Sequence, residues 1–337
     1  MYSLKPLVTI CCITYNHENF IREAIDSFLM QKTNFPIEII IHDDASTDNT
    51  ANIIKEYQAK HPNLIKPIFQ TQNQYSLRGF GFFSDMFEKA EGKYIAICEG
   101  DDYWTDPLKL QKQVDFLETN PDFAICFHKV KIWEEGQLKD DYITSVTSVS
   151  TTILDLAKGN YIHTPSCLFR NNTAKILGAN FHASPLGDYY IHMMNAQYGN
   201  IFYIDEAMAV YRVHSNSTFS SQSSTYRIAK TLEAIEAIYK DLQIQEVEVR
   251  QQLIDTHIRF TIYIYDQLLS TTDLKNTIAT FYPHEYRLRL IGNLINSEEK
   301  TKNLEDKIES IRWLTRMLAS RIKKRIFKLF TQKETST

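Results

Sequence analysis

Through the first hundred residues, short apolar, β-branched runs alternate with stretches of helical periodicity. The strand-like runs are "LVTICCITY" (Leu7 to Tyr15), "IEIIIHDD" (Ile37 to Asp44), "IKPIFQ" (Ile65 to Gln70) and "YIAICEGDD" (Tyr94 to Asp102). They are too apolar to leave either face in water, and helices between them imply a parallel sheet covered on both sides. The first helix, about Glu18 to Gln31, gathers Phe20, Ile21, Ala24, Ile25, Phe28 and Leu29 on one face. The second opens on the cap-rich "ASTDNT" (Ala45 to Thr50) and turns Ile53, Ile54 and Tyr57 inward. In such a sheet the loops after the carboxyl ends of the strands build the ligand site.

From about Pro121 the pattern changes to "FAICFHKVKIW", a polar Ser/Thr loop, "TPSCLF" and a helix around Gly187 to Tyr198, as expected of antiparallel strands and helices that extend the same sheet. After about Ser224 the chain reads as helical nearly to its end. The expected division is residues 1–224, with one half to about 120 and a second from 121, followed by a helical region over 225–337. With 337 residues, 43% of them hydrophobic, the chain buries a substantial core, which excludes a disordered or fibrous protein. Its net charge of −4 gives no basic field for nucleic acid, so none is expected as a partner. Cys11, Cys12, Cys98, Cys126 and Cys167 form no CxxC pair and fall mostly in apolar runs, as reduced core residues do. The opening "MYSLKPLVTI" lacks a signal-peptide pattern, and no run reaches the ~18 apolar residues of a membrane span, so a cytoplasmic location is expected.

Three polar clusters end three of the strands: Thr14-Tyr15-Asn16, Asp43-Asp44, and Glu99-x-Asp101-Asp102. Aspartates after strands often serve only as turn formers or helix caps. Three neighbouring clusters call for more, because adjacent buried carboxylates repel unless a cation or hydrogen-bond donors offset them. Carboxylate oxygens without histidine or cysteine suit a hard divalent ion, Mn²⁺ or Mg²⁺, which takes few protein ligands and completes its shell with phosphate oxygens. A diphosphate is a natural partner for that ion.

"VTICCITYNHENFIREAIDSFLMQ", "EIIIHDDASTDNT" and "GKYIAICEGDDYWTDPLKLQKQVDFL" together resemble the N-terminal half of the family 2 inverting glycosyltransferases, and the resemblance extends over about Lys5 to Ser217. It implies an α/β GT-A fold, a mixed, mainly parallel Rossmann-like sheet covered by helices, and a nucleotide-diphosphate sugar as donor, UDP first among the bases. Carried over residue by residue, it implies that Thr14, Tyr15 and Asn16 frame the nucleotide, that Asp44 accepts a hydrogen bond from the base, and that Arg78 lies nearby. Asp101 would face the ribose and metal, and Asp102 would hold Mn²⁺ or Mg²⁺. Arg212 and His214, in "VYRVHSNS", would approach the diphosphate or metal. Asp188, in "SPLGDYYIHMM", matches the family's catalytic base, which takes the proton of the acceptor hydroxyl; a helix cap is the alternative. Ala45 departs from the family, which often has glycine there, and Glu99 stands where aspartate is common.

Residues Ile311 to Phe330, "IRWLTRMLASRIKKRIFKLF", carry seven Lys or Arg and no acid, with Ile311, Leu314, Leu318, Ile322 and Leu329 on one helical face. Such an arm suits an anionic membrane surface, and thus an enzyme that extends lipid-linked glycans in surface-polysaccharide synthesis. Docking on the body of the protein or on a second copy, as a homodimer, is the alternative. A sugar-1-phosphate nucleotidyltransferase would need a glycine-rich basic loop that "TYNHENF" lacks. A processive synthase would need membrane spans, and a non-catalytic glycan-binding relative would have no use for the full carboxylate set.

Overall fold

The structure is a computed structural model and describes residues 5–269 except 145, 147, 173–176, 215, 216, 218 and 244–246. The strand-helix alternation is realised as β1 (Val8–Thr14), α1 (Ile21–Leu29), β2 (Ile37–Asp43), α2 (Thr50–Lys60), β3 (Ile65–Phe69), α3 (Gln74–Arg78), α4 (Phe83–Lys89) and β4 (Tyr94–Glu99). Then come β5 (Tyr103–Trp104), α5 (Lys109–Thr119), β6 (Phe123–Glu134), β7 (Gln137–Asp140), β8 (Ser150–Thr151), α6 (Ile153–Leu156), β9 (Leu168–Arg170), α7 (Gly187–Ala196) and β10 (Asn200–Val213). Two longer helices follow, α8 (Ser224–Asp241) and α9 (Val247–Leu269).

One mixed sheet runs in the order β3-β2-β1-β4-β9-β6-β10-β5, with β7 and β8 on its flank. The pairings β3-β2, β2-β1, β1-β4 and β6-β10 are parallel, and β9 joins the two parallel blocks by running antiparallel to both β4 and β6. This is the α/β fold expected. Alternate residues of each central strand feed opposite cores. Ile10, Cys12, Ile39 and Ile41 pack under α1, α2 and α5, while Cys11, Ile40, Ile95 and Ile97 face α4, α7 and α8. All five cysteines are buried. Phe28 of α1 is fully buried with its ring 4.9 Å from that of Trp104, and truncating it to alanine costs about 3–5 kcal/mol.

Residues 1–264 group as one compact unit. The expected boundary near residue 224 falls at the start of α8, whose Ala234, Ile235 and Ile238 enter the same core as α7. The basic arm, Ile311 to Phe330, lies outside the described residues. Among the described residues no helix is long and apolar enough to cross a membrane.

Candidate functional site

Register brings the three polar clusters together. Thr14 pairs with Asp43, and Ile13 with Glu99, so the ends of β2, β1 and β4 lie side by side. The loops that follow are stitched to one another. Asn16, in the left-handed region at φ 56°, accepts from the Thr47 amide at 2.8 Å, and Asp48 accepts from the amides of Glu18 at 3.0 Å and Thr50 at 2.9 Å. Gly100 lets the next turn close onto β1, because a Cβ there would meet Thr14 Cβ and Oγ1 at 2.8 Å. Ala45 has φ 62°, which explains why glycine suits that position.

These ends open into a cavity of about 510 Å³. Thr14, Tyr15, Asp44, Asp101, Arg212 and Asp188 line it. Asn16, Arg78, Asp102 and His214 sit outside its wall. Arg78 is ion-paired with Asp85 and donates to Gln74 at 3.1 Å. Asp44 is buried, and its two carboxylate oxygens accept the amides of Gln74 and Tyr75 at 2.6 and 3.0 Å, which ties α3 to the end of β2. Below it the buried His42 is pushed down to about 4 by desolvation and is therefore neutral. The Thr14 hydroxyl is buried without a hydrogen-bond partner among the described residues.

The carboxylates after β4 divide in their surroundings. Asp102 is buried behind the wall, one oxygen accepting the Arg212 amide at 2.7 Å and the other without a partner among the described residues. Asp101 reaches the cavity; its Oδ2 meets His214 Nε2 at 3.0 Å and lies 3.8 Å from His17 Nε2, while its buried Oδ1 has no partner among the described residues. Burial followed by the charges of Asp101 and Glu99 raises Asp102 well above the carboxylate range. Burial works the same way on Asp101, but the His214 hydrogen bond and the His17 charge outweigh it and hold that carboxyl below its ordinary value. Glu99 is pushed up to about 8 by burial, then by Asp101 and Asp188. Among the described residues no three His, Cys, Asp or Glu side chains converge closely enough to hold an ion by themselves.

In the same cavity, Asp188 lies in the first turn of α7 and accepts from Asn160 Nδ2 at 2.9 Å. The Asn160 carbonyl in turn meets His192 Nδ1 at 3.4 Å, so the amide is oriented from behind. Desolvation raises the Asp188 carboxyl, against the pull of the Tyr189 amide and Asn160. Nearby, His163 Nε2 meets Asp141 at 3.3 Å, and its ring lies 5.0 Å from Tyr211. Arg212 acts as a clasp. Its guanidinium donates to the Asp101 carbonyl at 2.6 Å, pairs with Glu23, and lies 4.4 Å from the Tyr103 ring and 5.2 Å from that of Phe20. Asn160, His163, Asp141 and the α8 residues that line the cavity were not singled out from the sequence, because they sit in loops or on a helix whose apolar stripe dominates its pattern.

The sequence model described as "Glycosyl transferase family 2" matches residues 9–218, more than half of the chain. The chain belongs to glycosyl transferase family 2. An uncharacterised protein of Mycobacterium tuberculosis is 40% identical over 239 residues, spanning 68% of this chain and 67% of its own length. A putative teichuronic acid biosynthesis glycosyltransferase of Bacillus subtilis, TuaG, is 26% identical over 224 residues, 66% of this chain and 85% of that protein. Among solved structures, S. aureus TarS in complex with UDP-GlcNAc is similar with TM-score 0.55 at 18% identity, covering 88% of this chain and 78% of that one. The Pyrobaculum calidifontis mannosyltransferase PcManGT with GDP-Man and Mn²⁺ gives TM-score 0.56 at 15% identity, covering 88% and 82%. At those identities the likeness concerns the fold. The family 2 glycosyltransferase is thus built on a GT-A sheet and is a transferase enzyme.

Proposed function

We propose that this chain transfers one sugar, with inversion, from a nucleotide-diphosphate donor, UDP-sugar first, to a hydroxyl of a glycan or lipid-linked glycan in surface-polysaccharide synthesis. The observation that carries this reading is that Glu99 and Asp101, at the end of β4, and Asp188 of α7 line one cavity. The named role of the Bacillus relative and the UDP-sugar held by the S. aureus neighbour support it.

Thr14, whose hydroxyl has no partner among the described residues, and Tyr15 frame the nucleotide, with Asn16 fixing their loop and Asp44, in the same cavity, accepting a hydrogen bond from the base. Arg78 stiffens α3 beside them. Asp102 and Asp101, with His214 bonded to Asp101, would hold Mn²⁺ or Mg²⁺ only together with oxygens of the donor's diphosphate, and the fit rests on two buried oxygens that have no partner among the described residues, Asp101 Oδ1 and Asp102 Oδ2. A bound divalent ion supplies charge neutralisation for the departing diphosphate. Arg212 fixes the turn that carries both aspartates. Asp188, raised by burial, takes the proton of the acceptor hydroxyl as that oxygen bonds to the anomeric carbon and the bond to the diphosphate breaks on the opposite side. The basic arm, residues 311–330, places the enzyme on the anionic cytoplasmic leaflet, and liposome co-sedimentation unchanged by its deletion contradicts that part.

The test is release of nucleoside diphosphate from UDP-, GDP- and dTDP-sugars with Mn²⁺ and with chelator. Metal-dependent release from one donor supports the reading. Binding without release or transfer would favour a non-catalytic nucleotide-sugar or glycan-binding protein.

A further inference from the structure

The family match ends at residue 218, and α8 begins at Ser224, yet Tyr226, Arg227, Lys230 and Thr231 of this helix line the same cavity. The polar face of α8 therefore forms a wall of the site, while its apolar face enters the core. Arg227 Nε is out of contact with solvent and, among the described residues, has no hydrogen-bond partner. Burying part of a guanidinium without an acceptor costs free energy, and an anion in the cavity removes that cost. Lys230 lies one turn further along the helix. It holds Glu233 at 2.8 Å, but in a solvent-exposed pair of the kind worth little, so its ammonium is available to a stronger ligand. A planar fork and a point charge on adjacent turns match the several oxygens of a phosphate better than a single carboxylate.

We propose that Arg227 and Lys230 form a phosphate subsite on the α8 wall of the cavity, filled either by the donor's diphosphate or by a phosphate group carried on the acceptor. The subsite rests on the reading of the cavity as a nucleotide-sugar site only for the first of these sources. The cavity that Arg227 and Lys230 line is also lined by Asp44 and Tyr75, at the proposed nucleotide end, and by Asn160 and Asp188, at the proposed acceptor end.

The experiment is calorimetry on the full chain with Mn²⁺, titrating UDP, uridine and, onto UDP-saturated protein, inorganic phosphate. The proteins compared are wild type, Arg227→Ala/Lys230→Ala, and Arg227→Lys, with thermal unfolding as a check on folding. If the double variant binds UDP at least tenfold more weakly and uridine unchanged, the subsite serves the donor diphosphate. If UDP is unaffected but phosphate binding to the UDP-saturated protein is lost, it serves an acceptor phosphate. Arg227→Lys should lose part of either effect, because it keeps the charge and loses the fork. A wild type that binds phosphate but no nucleotide, with phosphate binding lost in the double variant, supports the subsite and refutes the nucleotide reading. UDP and phosphate binding unchanged in the folded double variant overturns the proposal.

Discussion

The backbone N–H of Arg212, near the end of β10, donates to Asp102 Oδ1 at 2.7 Å and so ties the last long strand to the turn after β4. The Arg212 side chain repeats the tie, through the Asp101 carbonyl and Glu23. One residue thereby fixes both halves of the carboxylate turn, from the main chain and from the side chain.

Arg212→Ala keeps the main-chain bond and removes the clasp. The Asp101 carbonyl loses its donor, while Glu23, half exposed, re-solvates at small cost. Denaturant unfolding should show a loss of about 1–3 kcal/mol, and turnover should fall more steeply than stability because the aspartates are no longer held. Arg212→Lys should recover little, since one ammonium cannot reach two partners in a fixed fork.

Ala45 occupies a left-handed conformation that disfavours any Cβ. Ala45→Gly should therefore stabilise the protein by roughly 0.5–1 kcal/mol, the relief of strain exceeding the added chain entropy of the unfolded state. Chemical denaturation decides it, and a destabilised variant would show that the Ala45 methyl contributes more by packing than it costs in strain.

Glu99 sets a pH dependence whose sign follows from its raised carboxyl. The folded chain keeps the Glu99 proton up to about 8, whereas the unfolded chain releases it near 4.5, so this contribution to stability is full below 4.5 and is lost as pH rises through 8. On the proposed assignment of an ion to Asp101 and Asp102, a divalent cation would favour the deprotonated cluster and compete with that proton. Mn²⁺ should accordingly raise the thermal midpoint more at pH 8 than at pH 6, and a larger shift at pH 6 would contradict the assignment of the ion to this cluster.

Asn160 positions Asp188 and, by donating to it, favours its ionised form. In Asn160→Ala the acidic limb of the kcat/KM profile should move to higher pH, with turnover near neutrality falling on the order of tenfold. A uniform loss at every pH would instead mark Asn160 as a packing residue.

The parts of the fold that were legible in the sequence share one property, a pattern that local physics enforces. Runs such as "EIIIHDD" announce a buried parallel strand and the polar site at its end, since both faces must be apolar and the carboxyl end opens to solvent. β10 was not legible as one strand over Asn200–Val213, because Asp205 and Glu206 interrupt it and its pairing with β6 shifts register between Ile204 and Ala207 and again before Ala209. Asn160 and His163 carry no periodic signal, and only the three-dimensional path of their loop brings them to Asp188. The cavity-facing side of α8 was hidden for a different reason: amphipathicity identifies the buried face of a helix and leaves the other face without an address.

The most direct measurement is proton NMR of the sugar released or transferred when a nucleotide-sugar donor turns over with Mn²⁺, for wild type and Asp188→Asn. The anomeric configuration of the first product should be inverted relative to the donor, and Asp188→Asn should slow turnover by on the order of 10²–10⁴ while remaining folded. Retention of configuration, or full turnover by Asp188→Asn, would contradict the proposed mechanism.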